Sequence, residues 1–197
     1  MFSTKTAVFE SSNNKYMSAG INDNVTLKEA NVIKSPTGRD YLEVIFEDAS
    51  GATASFTEWK NEKNQWIKTD EDLQRRDNLQ FGRLLQILKC YFDEIEDVEL
   101  NSFYDMITWV KNKLATVDLK KPLRLKTTYD NKGFIRVSTY GAFVEPMTVT
   151  ETKIVLTARD KTTRPEIPVD KETTDPFANN STSDSTTSET SNGDLPF

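Results

Sequence analysis

Two stretches of the chain interleave flat rings with cations. In the first, Trp59, Lys60, Lys63 and Trp66 lie close together in polar sequence, with Arg39 and Tyr41 upstream and Lys68 just beyond. In the second, Arg124, Lys126, Tyr129, Lys132, Phe134 and Arg136 follow one another. A ring can stack on the face of any base, and a cation can meet a backbone phosphate. Together they can hold single-stranded nucleic acid with little regard for sequence. Each ring also has an ordinary alternative, packing in a core, and each cation has one in solvated surface.

Covalent chemistry has less material. The chain has no histidine, the commonest general base and metal ligand, and one cysteine, Cys90. Zinc sites of the Cys/His type are therefore excluded. No phosphate-cradling or dinucleotide-binding glycine pattern occurs. Asp93, Glu94, Glu96, Asp97 and Glu99 could hold Mg²⁺ for nuclease chemistry. Consecutive acids at a helix junction are more simply a solvated connection, and no companion motif accompanies these. A non-enzymatic protein without a cofactor is expected. Cys90 reads as a small packed residue.

Net charge is −6, which argues against a nucleic-acid binder until its distribution is considered. Residues 151–197 hold five basic and nine acidic residues, a net of −4. Residues 1–150 hold twenty basic and twenty-two acidic, a net of −2. Within them, residues 118–140 carry six basic residues against two acidic. The body is near neutral with a local basic stretch, and the C-terminal part is acidic.

The elements that must position these residues come in a definite order. Val25–Ile33 predicts a strand with Val25, Leu27 and Ile33 on one face. Tyr41–Asp48 alternates, with Leu42, Val44 and Phe46 on one face and Tyr41, Glu43 and Glu47 on the other, and Thr53–Trp59 returns as a third strand. Thr69 or Asp70 can cap a helix carrying Phe81, Leu84, Leu85, Leu88 and Phe92 at helical spacing. Ser102 with Asp105 resembles a capping box ahead of Phe103, Met106, Ile107, Val110 and Leu114. Pro122–Tyr129, a turn at Asp130-Asn131-Lys132-Gly133, and Phe134–Tyr140 predict a closing hairpin. On this strand, Arg124 and Lys126 are expected to face outward.

Three strands, a helical insertion at about 70–117 and a hairpin make the order of a five-stranded OB-type β-barrel. A generic α+β domain with the same order is the alternative. The fold class expected is mainly β with α, with the barrel domain over 1–158. Residues 159–197 form an acidic tail. Its stretch Thr173–Asn192 is dominated by Thr, Ser, Asn and Asp, and disorder is expected there.

The tail ends Asp194-Leu195-Pro196-Phe197, and Asp175-Pro176-Phe177-Ala178-Asn179-Asn180 lies upstream. These resemble two parts of bacterial single-stranded DNA-binding proteins. The first is their tip, a run of acids followed by Ile or Leu, Pro and Phe. The second is the Asp-Pro-Phe-Ala segment of those from Gram-positive bacteria. The resemblance covers about the last 25 residues. The body is similar, in pattern rather than motif, to the OB-fold single-stranded DNA-binding proteins of bacteriophages. The tip departs from its family in having one acid, Asp194, directly before Leu195, with Glu189 further back.

The resemblance implies that Asp194, Leu195, Pro196 and Phe197 recruit replication and recombination proteins. A terminal ring suits an apolar pocket and its carboxylate a basic rim. The expected function is coating single-stranded DNA in phage DNA replication, recombination and repair. An acidic tail can also compete with the strand for a basic surface. The runner-up is an adaptor that does not grip DNA and competes for the same partners through the tail. RNA in place of DNA, and a homo-oligomer, stay open as alternatives. No run is apolar enough to span a membrane, and no signal-peptide h-region opens the chain, so a cytoplasmic protein of a bacterial, Gram-positive host is expected.

Overall fold

The structure, a computed structural model, describes residues 16–166. Six strands and two helices run in the order β1 (Gly20–Lys34), β2 (Asp40–Glu47), β3 (Thr53–Trp59), α1 (Asp70–Lys89), α2 (Phe103–Leu114), β4 (Leu123–Tyr129), β5 (Ile135–Val137) and β6 (Val144–Pro146). The chain is mainly β, and both helices fall between β3 and β4, where the insertion is expected.

Strands β1 to β5 close on themselves. β1 pairs with β2 and β2 with β3, both antiparallel; β3 pairs parallel with β5; β5 and β4, then β4 and β1, pair antiparallel. The ring closes because β1 serves two partners in turn. Gly20–Val25 lies along β4 and Thr26–Lys34 along β2. The change of partner coincides with a register shift between Asn22 and Val25, where Asn24 takes φ 57°. Asparagine tolerates this left-handed region better than most residues, and bulges of this kind bend a strand.

A second shift between Leu27 and Glu29 reverses the alternation. Val25 and Leu27 point inward before it, and Ala30 and Val32 pack toward the core after it. Ile33, expected on the face of Val25 and Leu27, therefore lies on the opposite face, paired with Tyr41.

The interior is the summed inward faces. Leu42, Val44 and Phe46 of β2 and Ala54 and Phe56 of β3 meet Leu123 and Leu125 of β4 and Ile135 and Val137 of β5. The helices contribute Leu84, Ile87 and Leu88 from α1 and Met106, Ile107, Val110 and Leu114 from α2. Thr69 caps α1 by accepting from Asp72 N, and Ser102 caps α2 by accepting from Asp105 N at 3.1 Å. Cys90 is buried, and that burial pushes its thiol up to about 12, so it stays protonated and inert at neutral pH.

The β3–β5 seam is the narrowest join, one register pair between Ser55 and Arg136. α1 braces it from both sides. Gln80 donates to the Trp59 carbonyl at 2.8 Å, and Gln86 donates to the Gly141 carbonyl at 3.4 Å. Phe56 and Phe143 stack across it at 5.5 Å.

Three features differ from the expected hairpin. The returning strand is three residues long rather than Phe134–Tyr140. A further strand, β6, pairs with the first three residues of β4. The chain beyond Ala158 does not leave at once: Asp160 is buried among Lys126, Ser138 and Thr157. Among the described residues no helix is long and apolar enough to cross a membrane. The Asp-Pro-Phe segment at 175–177, the tip at Asp194–Phe197 and the stretch expected to be disordered lie outside the described residues.

Candidate nucleic-acid interface

Alternation on β2 and β3 decides which rings can reach solvent. Leu42, Val44, Phe46, Ala54 and Phe56 take the inward positions. Tyr41 and Trp59 are left on the outer face, paired directly in register. Their rings stack with centroids 4.2 Å apart and planes 20° from parallel. The Arg39 guanidinium lies 5.7 Å from the Trp59 centroid, within the range of a cation–π contact. Arg39 also donates to the Lys60 carbonyl and faces Glu62 at 3.4 Å.

Trp59 is held from behind. Glu58 occupies the last inward position of β3 and is buried, an arrangement that needs full pairing. Arg83 donates to both of its carboxylate oxygens, and Gln80 donates to it at 2.8 Å. Because the same Gln80 amide also holds the Trp59 carbonyl, α1 fixes the backbone that carries the exposed ring.

Beyond β3, Asn64 accepts from the N–H groups of Trp66 and Ile67 in an Asx turn. Ile67 turns inward and is buried, while Trp66 is turned out, 78% exposed. Lys63 is paired with Asp70 at 2.7 Å. Lys60 and Lys68 have no carboxylate partner among the described residues.

The β4–β5 turn forms a second group. Gly133 takes φ 76°, which a side chain would strain. Asp130 accepts from the N–H groups of Lys132 and Phe134 and faces Arg136 at 3.3 Å. Burial pulls its carboxyl upward, but these donors outweigh burial and hold it below its ordinary value. Lys132, Phe134 and Arg136 are all exposed. Arg136 is aligned with Ser55, which shares the outward face of β3 with Trp59. Four residues along a strand separate the two groups by about 13 Å.

Three expected positions fall elsewhere. Lys126 is not an outward cation: it is 1% exposed. Its Nζ donates to the carbonyls of Tyr140 at 2.6 Å and Val155 at 3.1 Å, and to Asp160 at 3.2 Å. Alternation correctly puts it off the core face, but residues 140–160 cover that face. Arg124 is held between Asp23 and Glu145, each at 2.7 Å. Tyr129 is half-buried and packs against the core. The acidic stretch is not gathered either. Among the described residues no three acids, cysteines or histidines come together to hold a metal ion, and Glu96 is committed to Lys113 and Trp109.

Other exposed residues lie outside the expected set. Tyr140 is 47% exposed with the Arg159 guanidinium 5.7 Å from its ring. Lys161 and Arg164, assigned by composition to the tail, return to the β4–β5 turn. The signal for this is the apolar run Ile154-Val155-Leu156 followed by three cations, which interrupts an otherwise acidic segment.

No family model matches the chain, and no curated protein matches it in sequence.

Proposed function

We propose that this chain is a non-enzymatic single-stranded DNA-binding protein of a bacteriophage or mobile element. It acts in DNA replication, recombination and repair, in the cytoplasm of a Gram-positive host. In this reading the closed five-stranded ring is an OB-type barrel with a helical insertion. The observation that carries the proposal is the Tyr41–Trp59 stack with Arg39 over it, on the outer face of β2 and β3. OB folds take oligonucleotides on that face and in the loops joining strands 1 to 2 and 4 to 5. Arg39 belongs to the first of these loops, and Lys132 and Phe134 to the second. Bases stack on Trp59, Tyr41, Trp66 and Phe134, while Lys60, Lys63, Lys132 and Arg136 meet phosphates. The tip at Asp194–Phe197 recruits the enzymes that act on the coated strand.

The test is a titration of the full chain with labelled oligo-dT of about 30 nucleotides, longer than the roughly 4–16 one OB fold occupies. A duplex of equal length and two salt concentrations complete it. Tight, salt-sensitive binding of the single strand and much poorer binding of the duplex are expected. Trp59→Ala and Tyr41→Ala should each weaken it by about 1–3 kcal/mol, roughly 5- to 150-fold. Equal affinity for strand and duplex, or no binding, would overturn the proposal. One observation favours the adaptor reading: Arg39, Lys63 and Arg136 already face Glu62, Asp70 and Asp130. Partner capture by residues 167–197 without DNA binding by the full chain would establish it.

A further inference from the structure

The segment Thr157–Arg164 crosses the outer side of β4 as a strap, and its anchoring is unusually complete. Asp160 accepts from Ser138, from the Thr157 N–H at 2.7 Å and hydroxyl at 2.8 Å, and from Lys126. The Lys161 carbonyl accepts from Tyr129 N at 2.8 Å and from the Thr128 hydroxyl at 3.0 Å. The Lys161 ammonium donates to Asn131 at 2.8 Å, in the β4–β5 turn. A Cβ at Gly133 would meet Arg164 Nε at 3.0 Å, so the arginine stem lies on the turn itself.

This anchoring arranges charge. Arg159, Lys161 and Arg164 are exposed, whereas the strap's Asp160 is buried against Lys126. Lys161 and Arg164 sit at the turn that also presents Lys132, Phe134 and Arg136. The half-buried carboxylate there, Asp130, is taken up by two N–H groups and Arg136. Arg159 lies over Tyr140, so the strap repeats the pairing of an exposed ring with a guanidinium that Arg39 makes with Trp59. Rings and cations in this alternation suit bases and phosphates of one strand.

We infer that Arg159, Lys161 and Arg164 form a further arm of the single-stranded DNA site, carrying the strand past the β4–β5 turn with Tyr140 and Phe134 as stacking surfaces. The inference rests on the reading of the protein as a single-strand binder and adds residues outside the OB face.

The experiment compares the full chain with Arg159→Gln/Lys161→Gln/Arg164→Gln, which keeps the stems. A control, Arg76→Gln/Lys89→Gln/Lys111→Gln, removes three helix cations instead. Affinity for oligo-dT is followed against salt, with thermal melting alongside. Each phosphate left without its cation lowers the salt slope by about 0.7 for a single strand, so the strap variant should fall by roughly 2 in slope. Its affinity at low salt should drop at least tenfold with melting unchanged, and the helix variant should behave as wild type. An unchanged slope in the strap variant, or an equal drop in the helix variant, would sink the inference and leave the β2–β3 site standing. Failure of the wild type to bind would remove both. If the triple variant melts early, Arg159→Gln/Lys161→Gln, which spares the seated Arg164, must show a slope reduced by roughly 1.4 for the inference to survive.

Discussion

Lys126 shows how one residue type can carry opposite roles. Its place in a basic stretch suggests a phosphate contact, yet it is one of the most deeply buried side chains and its charge is matched by Asp160. Removing one partner of such a pair strands the other charge, at about 3–5 kcal/mol. Lys126→Met should therefore lower the stability measured by urea titration by that much. The pair also predicts acid sensitivity. Burial raises the Asp160 carboxyl, but Ser138, Thr157 and Lys126 outweigh it and hold the group below its ordinary value. A carboxyl lowered by folding adds stability that is present above the ordinary value, about 3.9, and is lost as pH falls through the lowered one. Wild-type stability, measured by urea titration between pH 7 and 2, should fall on acidification, and Asp160→Asn should flatten part of that fall. A parallel profile in the variant would show that Asp160 is not its source.

At the scale of elements, α1 and the strap do related work, each tying a strand of the ring to chain distant in sequence. α1 ties β3 to the chain after β5 through Gln80 and Gln86, across a seam that has little ladder of its own. The strap covers the face of β4 opposite the core and supplies the counter-charge for Lys126. Two truncations separate strap from tail. A chain ending at Glu166 should melt as the full chain does. A chain ending at Ala158 lacks Asp160 and leaves the Lys126 ammonium without its carboxylate. It should be less stable by about 3–5 kcal/mol. Equal melting of the two truncations would mean that the strap is not needed for the fold.

For the whole molecule, the distribution of charge matters more than its total. Residues 167–197 carry six acidic residues and one basic, so nearly all of the net −6 lies there and residues 1–166 are close to neutral. If the acidic segment competes with a nucleic acid for the basic surface, removing it raises affinity most where screening is weakest. The chain ending at Glu166 should bind oligo-dT more tightly than the full chain at about 0.01 M salt, and the two should converge near 1 M. Identical affinities across that range would dismiss the competition.

Sequence alone determined the features whose causes are local. Period-two alternation put Leu42, Val44 and Phe46 on one face of β2 and Tyr41 on the other, while the outward place of Trp59 came from the structure. Helical spacing found the buried stripes of α1 and α2, and Thr69 and Ser102 marked their starts because a cap needs only its own first turn. The turn at Asp130–Gly133 was legible for the same reason. Tertiary structure decided what depends on partners distant in the chain. The register shift after Leu27 turned Ile33 to the outer face, and a bulge leaves little trace in a hydrophobic pattern. Whether Tyr41 and Trp59 would meet depended on strand register. Lys126 alternated correctly off the core, but only the return of residues 140–160 decided that its face would be covered rather than open. Arg159, Lys161 and Arg164 looked like tail because composition averages over a segment. A buried Asp160, paired with a lysine 34 positions earlier, holds that segment to the body together with the bonds of Lys161 to Thr128, Tyr129 and Asn131.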